Sequence, residues 1–257
     1  MPYKLQKRLR IFAGPNGSGK STLYQNFPPE IKRGIYVNAD DIEKELRENG
    51  SLDFIQFQML PIKRKLQNFI ASHRFNNKVK NQSAIDISKN ILKLPSQYVT
   101  SYWAAMIADY IRKTLIKEGK SLSFETVMSG VDKIELMQMA IKQGYKIYLY
   151  FMCTEDPIIN IDRIQYRVSN GTGHSVPDKK VKDRYYKSLE LLANAVLISY
   201  RSYMFDTTGE NDRRLCAEKT PRLLRVCKPK EMPHWLYKYL LVKNFDRSEP
   251  LPLRKLK

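Results

Sequence analysis

Short β-favouring runs and stretches of helical period alternate along this chain. Residues 8–13 form an apolar-rich run that stops at Gly14, and residues 20–27 predict a short helix ended by Pro28-Pro29. Ile35-Tyr36-Val37 predicts a second strand, followed by Asn38-Ala39-Asp40-Asp41 and a helix over 42–48 that stops at Asn49-Gly50. Between 101 and 118, apolar residues recur at Trp103, Met106, Ile107, Tyr110, Ile111 and Leu115, a helical period stopped by Gly119. Residues 121–124 and 145–152 predict strands on either side of a helix over 134–142. Asp156-Pro157 has the form of an N-cap with proline at the first helical position. The helix it opens runs through Val168 and breaks at Asn170-Gly171-Thr172-Gly173. A longer helix over 178–195 leads to a final strand at 203–205.

Strand and helix keep alternating, which predicts a mostly parallel sheet covered on both faces, a three-layer α/β domain. Residues 61–100 interrupt the pattern and are expected to form a helical insertion. The predicted organisation is one domain over 1–212, with a lid at about 157–187, and a C-terminal extension over 213–257.

Composition locates the unusual feature of the chain. Among its 257 residues, 45 Lys and Arg stand against 26 Asp and Glu, a net charge of +19. Residues 61–93 carry eight Lys or Arg and one Asp, and residues 213–257 carry thirteen against four, so two segments hold most of the excess. Such segments are solvated basic faces or surfaces for an anionic partner, nucleic acid included. No apolar run reaches the ~20 residues a membrane span needs. No apolar signal region follows the first basic residues, so a cytoplasmic location is expected. Cys153, Cys216 and Cys227 have no paired spacing, which argues against a disulfide framework.

The strongest motif is Gly14-Pro15-Asn16-Gly17-Ser18-Gly19-Lys20-Ser21, a full match to G-x-x-x-x-G-K-[ST] between a predicted strand and a predicted helix. Glycines are needed because successive backbone N–H groups must turn inward around phosphate oxygens, in conformations a β-carbon obstructs. Lys20 is the candidate cation for β- and γ-phosphates, Ser21 the candidate Mg²⁺ ligand, and Thr22 continues the nucleotide-binding set. The helix N-terminus adds its partial positive charge. An ABC transporter ATPase is excluded, since no LSGGQ-like signature and no strand ending in Asp-Glu is present. The strand over 145–152 ends in Cys153-Thr154, whereas the strand over 121–124 runs directly into Glu125-Thr126.

The kinase branch of P-loop proteins also requires a carboxylate facing an acceptor hydroxyl and cations over the phosphates. Asp40 follows the second strand, where open α/β sheets bind ligands, and is the candidate base ahead of Asp41. Arg163 and Arg167, four apart on one helix, project from one face, and Arg184 follows beyond the glycine-rich bend. Asn38, Glu125, Thr126 and His174 complete the acceptor-side candidates, with Glu125 also able to hold Mg²⁺ through water.

With these residues in place, the chain resembles the zeta-toxin-like P-loop kinases, including the branch described as predicted ABC-type ATPases. The resemblance rests on AGPNGSGKST at 13–22, VNADDI at 37–42, FET at 124–126, RIQYRVSNGTGHSVP at 163–177 and RYYKSL at 184–189, and it covers about residues 8–210. It implies Mg-ATP-dependent phosphorylation of a small molecule, for characterised zeta toxins a hydroxyl of a UDP-activated N-acetyl amino sugar, and inhibition by a small antitoxin. It also implies that Lys20 and Ser21 serve nucleotide and Mg²⁺, Asp40 is the base, and Arg163 and Arg167 bind phosphate. Two readings stand beside a small-molecule kinase: a polynucleotide kinase that uses the basic segments, and a nucleotide-dependent regulatory ATPase without an acceptor.

Overall fold

A computed structural model describes residues 6–173, 175–210 and 212–242. Seven strands make a mixed, mostly parallel α/β sheet, and three short ones make a separate antiparallel sheet. By packing, the chain divides into two compact units, residues 1–32 with 125–257 and residues 33–124.

In the first unit β1 (Arg8–Ala13) runs parallel to β7 (Lys146–Cys153), pairing Phe12 with Tyr150 and Ala13 with Phe151. β7 is in turn parallel to β8 (Arg201–Asp206). Side chains alternate across a strand, so each of these strands feeds two cores. On one face Phe12 stacks on Tyr150 at 5.0 Å and meets Phe27 edge-on at 5.3 Å, beside Leu23 of α1 (Lys20–Gln25). On the other, α5 (Asp132–Lys142) and α7 (Asp178–Ile198) pack on β7, and Phe151 lies 6.0 Å from the ring of Trp235. This unit therefore has the three layers that the alternation predicted.

The expected C-terminal extension is part of the same unit as far as residue 242. β9 (Arg214–Lys219) pairs antiparallel with β8, and β10 (Leu224–Val226) pairs with β9. Trp235, Leu236 and Leu240 are buried, and the Glu155 carboxylate accepts the His234 N–H at 2.9 Å. Periodicity could not show this, because β9 carries Arg214, Glu218 and Lys219 within six residues and even its buried Lys219 ends on the Leu197 and Ser199 carbonyls.

In the second unit β2 (Ile35–Val37) runs parallel to the start of β6 (Leu122–Thr126). Its core is built on α4 (Ser101–Lys117), started by Thr100 and buried on several sides, with Trp103, Met106, Ile107 and Ile111 fully enclosed. α2 (Ala39–Asn49) packs against α4. The segment over 61–100 is only partly helical. Its one α-helix, α3 (Lys63–Ser72), is followed by short 3-10 turns and by β4 (Asp86–Ser88) and β5 (Ile91–Lys93), which join β3 (Ser51–Asp53). The alternation of buried Ile87 and Leu92 with exposed neighbours, rather than a 3.6 period, explains the hairpin.

A charged group lies inside this second core. Asp109 accepts from Arg112 at 2.5 Å and from the His73 Nε2 at 3.3 Å, while His73 Nδ1 accepts the Phe75 N–H. Because Nδ1 is an acceptor, Nε2 carries the ring proton. Arg112 is only 3% exposed. Asp109→Ala should therefore cost about 3–5 kcal/mol, since it strips a buried guanidinium of its carboxylate. The measurement is a urea melt of the full chain, with a lowered midpoint at an unchanged slope.

Candidate functional site

The glycine loop leaves β1 by a turn that only glycine can make. Gly14 has φ 139°, and a Cβ there would stand 2.0 Å from the Met152 carbonyl oxygen. Gly19, at φ 84°, has open space around it and is required for its backbone conformation alone. It precedes α1, whose first turn contains no acidic residue, so the N-terminal amides and the dipole face the loop unopposed. The Lys20 ammonium donates to the Gly14 and Pro15 carbonyls at 2.9 and 2.7 Å, which holds it across the concave side of the loop.

The start of α1 also meets the end of β6. Ser21 Oγ donates to Glu125 Oε2 at 2.8 Å. A hydroxyl and a carboxylate oxygen side by side suit a hard cation such as Mg²⁺, which takes few protein ligands and fills its shell with water and phosphate oxygens. Among the described residues no group of three or more His, Cys, Asp or Glu could hold a metal alone. Thr22 is exposed in the same turn. Thr126, read as an acceptor residue, is buried, and its hydroxyl oxygen accepts the Met128 N–H to close the turn after β6.

Two residues that motif reading missed, Asn160 and Thr207, hold the loop from outside. Asn160, fully buried in α6 (Pro157–Ser169), donates from Nδ2 to the Asn16 carbonyl at 2.6 Å. Its Oδ1 accepts from the Thr154 hydroxyl. A Cβ on Gly17 would lie 2.7 Å from the Asn160 carbonyl oxygen, so the loop and this helix touch backbone to backbone. On the other flank Thr207 Oγ1 reaches the Ser18 and Cys153 carbonyls, both at 3.2 Å. The sequence signal for Thr207 was its place just after the end of β8, and Asn160, inside α6, carried none. Cys153 itself is fully buried, which pushes its thiol well above the ordinary range and makes it unreactive.

α6 also carries the arginines. Arg163 donates to the Thr208 and Gly209 carbonyls at 3.3 and 2.9 Å, and Arg167 Nε donates to the Arg163 carbonyl at 3.4 Å with its side chain exposed. Asp206 orders the same segment by accepting the Thr208 N–H at 3.1 Å, and is itself paired with Arg214 at 3.0 Å. The segment over 157–187, expected as a lid, is packed in part. Asn160, Ile161 and Ile164 are buried, and Ile161 and Ile164 pack on Val181 of α7, so α6 is part of the packed unit. Arg184 is half-buried in α7, and His174 lies outside the described residues.

In the second unit Asn38, not Asp40, caps α2. Asn38 Oδ1 accepts the Asp40 N–H at 3.0 Å, and its amide donates to the Tyr36 hydroxyl at 3.1 Å. The Asp40 carboxylate is not spent on capping and sits exposed in the first turn of α2, beside Asp41.

No protein-family model and no curated protein sequence matches the chain. Solved structures do match it. The crystal structure of the AvrRxo1-ORF1:-ORF2 complex with ATP aligns at a TM-score of 0.56 with 13% identity over 96% of this chain and 67% of the matched one. The same complex with sulphate ions aligns at 0.55, again with 13% identity and the same coverage. A structure of the PezAT chromosomal toxin-antitoxin system of Streptococcus pneumoniae aligns at 0.49 with 15% identity, over 95% and 82% of the two chains. The chain spans about two thirds of the matched AvrRxo1 chain. At this identity the likeness shows the fold alone, the α/β fold with a mostly parallel sheet expected from the sequence.

Replacing Asn160 by Ala removes the donor to the Asn16 carbonyl and one of the two acceptors of the Thr154 hydroxyl, which keeps the Asp156 carbonyl at 3.1 Å. The expected loss is about 1–3 kcal/mol of stability, together with weaker nucleotide binding by the full chain. Melting curves with and without Mg-ATP read both, and nucleotide affinity equal to the parent's would show that the loop does not need this support.

Proposed function

We propose that this protein is a phosphotransferase that moves the γ-phosphoryl group of ATP to a hydroxyl of a small-molecule acceptor. One observation carries the reading: a complete phosphate loop lies between strand and helix, with Lys20 across its concave side and Ser21 Oγ 2.8 Å from the Glu125 carboxylate. Loop amides and the α1 N-terminus bind phosphate oxygens, and Lys20 exchanges two loop carbonyls for phosphate. Bound Mg²⁺, held by Ser21 with Glu125, supplies neutralisation of the β/γ charge. Arg163 and Arg167 add cationic charge from the helix that Asn160 fastens to the loop. Asp40 accepts the proton of the acceptor hydroxyl, a role its uncommitted carboxylate permits. Catalysis is then mainly positioning and charge neutralisation, with one proton transfer.

The quoted motifs favour a UDP-N-acetyl amino sugar as acceptor and a small antitoxin as partner. The fold likeness to a two-component complex crystallised with ATP supports a nucleotide-using protein that works with a partner. The reading is tested by incubation with labelled ATP and a metabolite extract that includes UDP-sugars, followed by mass spectrometry for a species that gains one phosphate. ATP turnover without any phosphorylated product would favour the acceptor-less ATPase instead.

Two substitutions divide the roles. Lys20→Ala should abolish thermal stabilisation by Mg-ATP, because the amides alone leave much of the phosphate charge unneutralised; unchanged stabilisation would overturn the loop's role. Asp40→Asn keeps size but loses basicity, so ATP affinity should hold while transfer falls by about 10²–10⁴-fold. Single-turnover kinetics at saturating acceptor give the comparison, and a parent-like rate would transfer the role to Asp41 or Glu125.

A further inference from the structure

β9 and the residue that follows β10 each present one free thiol, and the register of the two strands sets them opposite each other. Lys219 pairs with Leu224, Glu218 with Arg225 and Ala217 with Val226. One step further, the Cys227 N–H donates to the Cys216 carbonyl at 2.8 Å. Cys216 and Cys227 are therefore direct cross-strand partners. Hydrogen-bonded antiparallel partners have Cα atoms about 5.5 Å apart, inside the roughly 4.4–6.8 Å that a disulfide spans. Cys216 is also the residue that β8 skips, since Met204 pairs with Ala217 and Phe205 with Leu215. Its backbone has no ladder partner in β8 and can adjust as a bulge does.

We propose that Cys216 and Cys227 form a reversible disulfide that fastens β10 to β9. Cys227 is half-exposed and Cys216 is buried, so Cys227 is the first to react. Its thiolate attacks a low-molecular-weight disulfide such as oxidised glutathione, forming a mixed disulfide and releasing one glutathione. Cys216 then attacks the Cys227 sulfur and releases the second. Two protein S–H bonds are lost and one S–S bond forms, while the two electrons reduce the reagent's S–S bond to two thiols. Burial raises the Cys216 thiol above its ordinary range, in keeping with the slower, resolving role.

The cross-link has a structural target. Arg214, two residues before Cys216, bridges Asp206 at 3.0 Å and Glu231 at 2.8 Å, and Glu231 follows Cys227 by four residues. The bond therefore joins the strand that supplies the arginine to the segment that supplies its outer carboxylate. It also secures a three-residue edge strand by closing a loop of about 12 residues, which restricts the unfolded chain.

The test uses the full chain treated with oxidised glutathione, free thiols blocked with N-ethylmaleimide, and tryptic digestion. Trypsin cuts after Lys219, Arg222 and Arg225, so the cysteines fall on separate peptides, 215–219 and 226–230, unless the bond joins them. The expected product has lost two hydrogens, yields these peptides as a reducible pair, and melts a few degrees above the reduced form. Cys216→Ser should instead stop at a stable glutathione adduct on Cys227, and Cys227→Ser should react little. A lasting adduct on Cys227 of the parent chain, a disulfide-linked dimer, or a parent Cys216 that remains alkylatable would each overturn the proposal.

Discussion

Everything at the glycine-loop end of the first unit depends on how closely β1 can leave the sheet past β7. Gly14 follows Ala13, which pairs with Phe151, and the chain must turn immediately above the Met152 carbonyl, where any β-carbon would collide at 2.0 Å. That approach sets the path of the loop, and the path decides where the loop amides point, where α1 begins and where Lys20 and Ser21 are delivered. The parallel register of β1 and β7 and the stacked Phe12–Tyr150 pair make the departure point rigid. A cradle meant to bind a fixed anion gains from such rigidity, because no ordering is left to be done on binding.

The same constraint reaches the arginines by a route that the motif does not contain. The loop rests backbone to backbone on Asn160, and Asn160 belongs to the helix that carries Arg163 and Arg167. Arg163 returns to the 208–209 carbonyls, and Thr207 beside them holds the Ser18 carbonyl. Loop, helix and the segment after β8 thus close a ring of hydrogen bonds around buried polar groups. In such a ring each member left unpaired is costly, so the geometry is held jointly and not by any single bond.

Charge has a different relation to fold. The two basic segments do not behave as one class. The tail as far as residue 242 supplies an edge of the sheet and the buried Trp235, and uses Lys219 and Arg214 for bonds inside the unit. Residues 61–93 keep their cations on the outside, with Lys63 paired to Asp86 at 2.6 Å on the surface. Net charge counts both alike, although the tail takes Lys219 and Arg214 into the unit and leaves Arg213, Arg222, Arg225, Lys228, Lys230 and Lys238 exposed.

Much of the fold was legible from the chain because periodicity reports burial directly. The strands at 8–13, 35–37 and 145–152, the helices at 101–118, 134–142 and 157–168, and the phosphate loop all follow from local pattern. A local signal could also nominate Ser21, Glu125 and Asp40 as chemistry-bearing residues. It could not show that Ser21 and Glu125 share a hydrogen bond, that Asn38 rather than Asp40 caps α2, or that Thr126 is taken up by a turn. Nor could it find Asn160, Thr207 or the opposition of Cys216 and Cys227, whose neighbours are more than a hundred residues away or set by strand register. Residue type and spacing determine what the backbone does over a few residues, because those preferences are steric and local. Which distant group completes a hydrogen bond is decided only when the strands pair and the helices pack, since the partners meet nowhere along the chain itself.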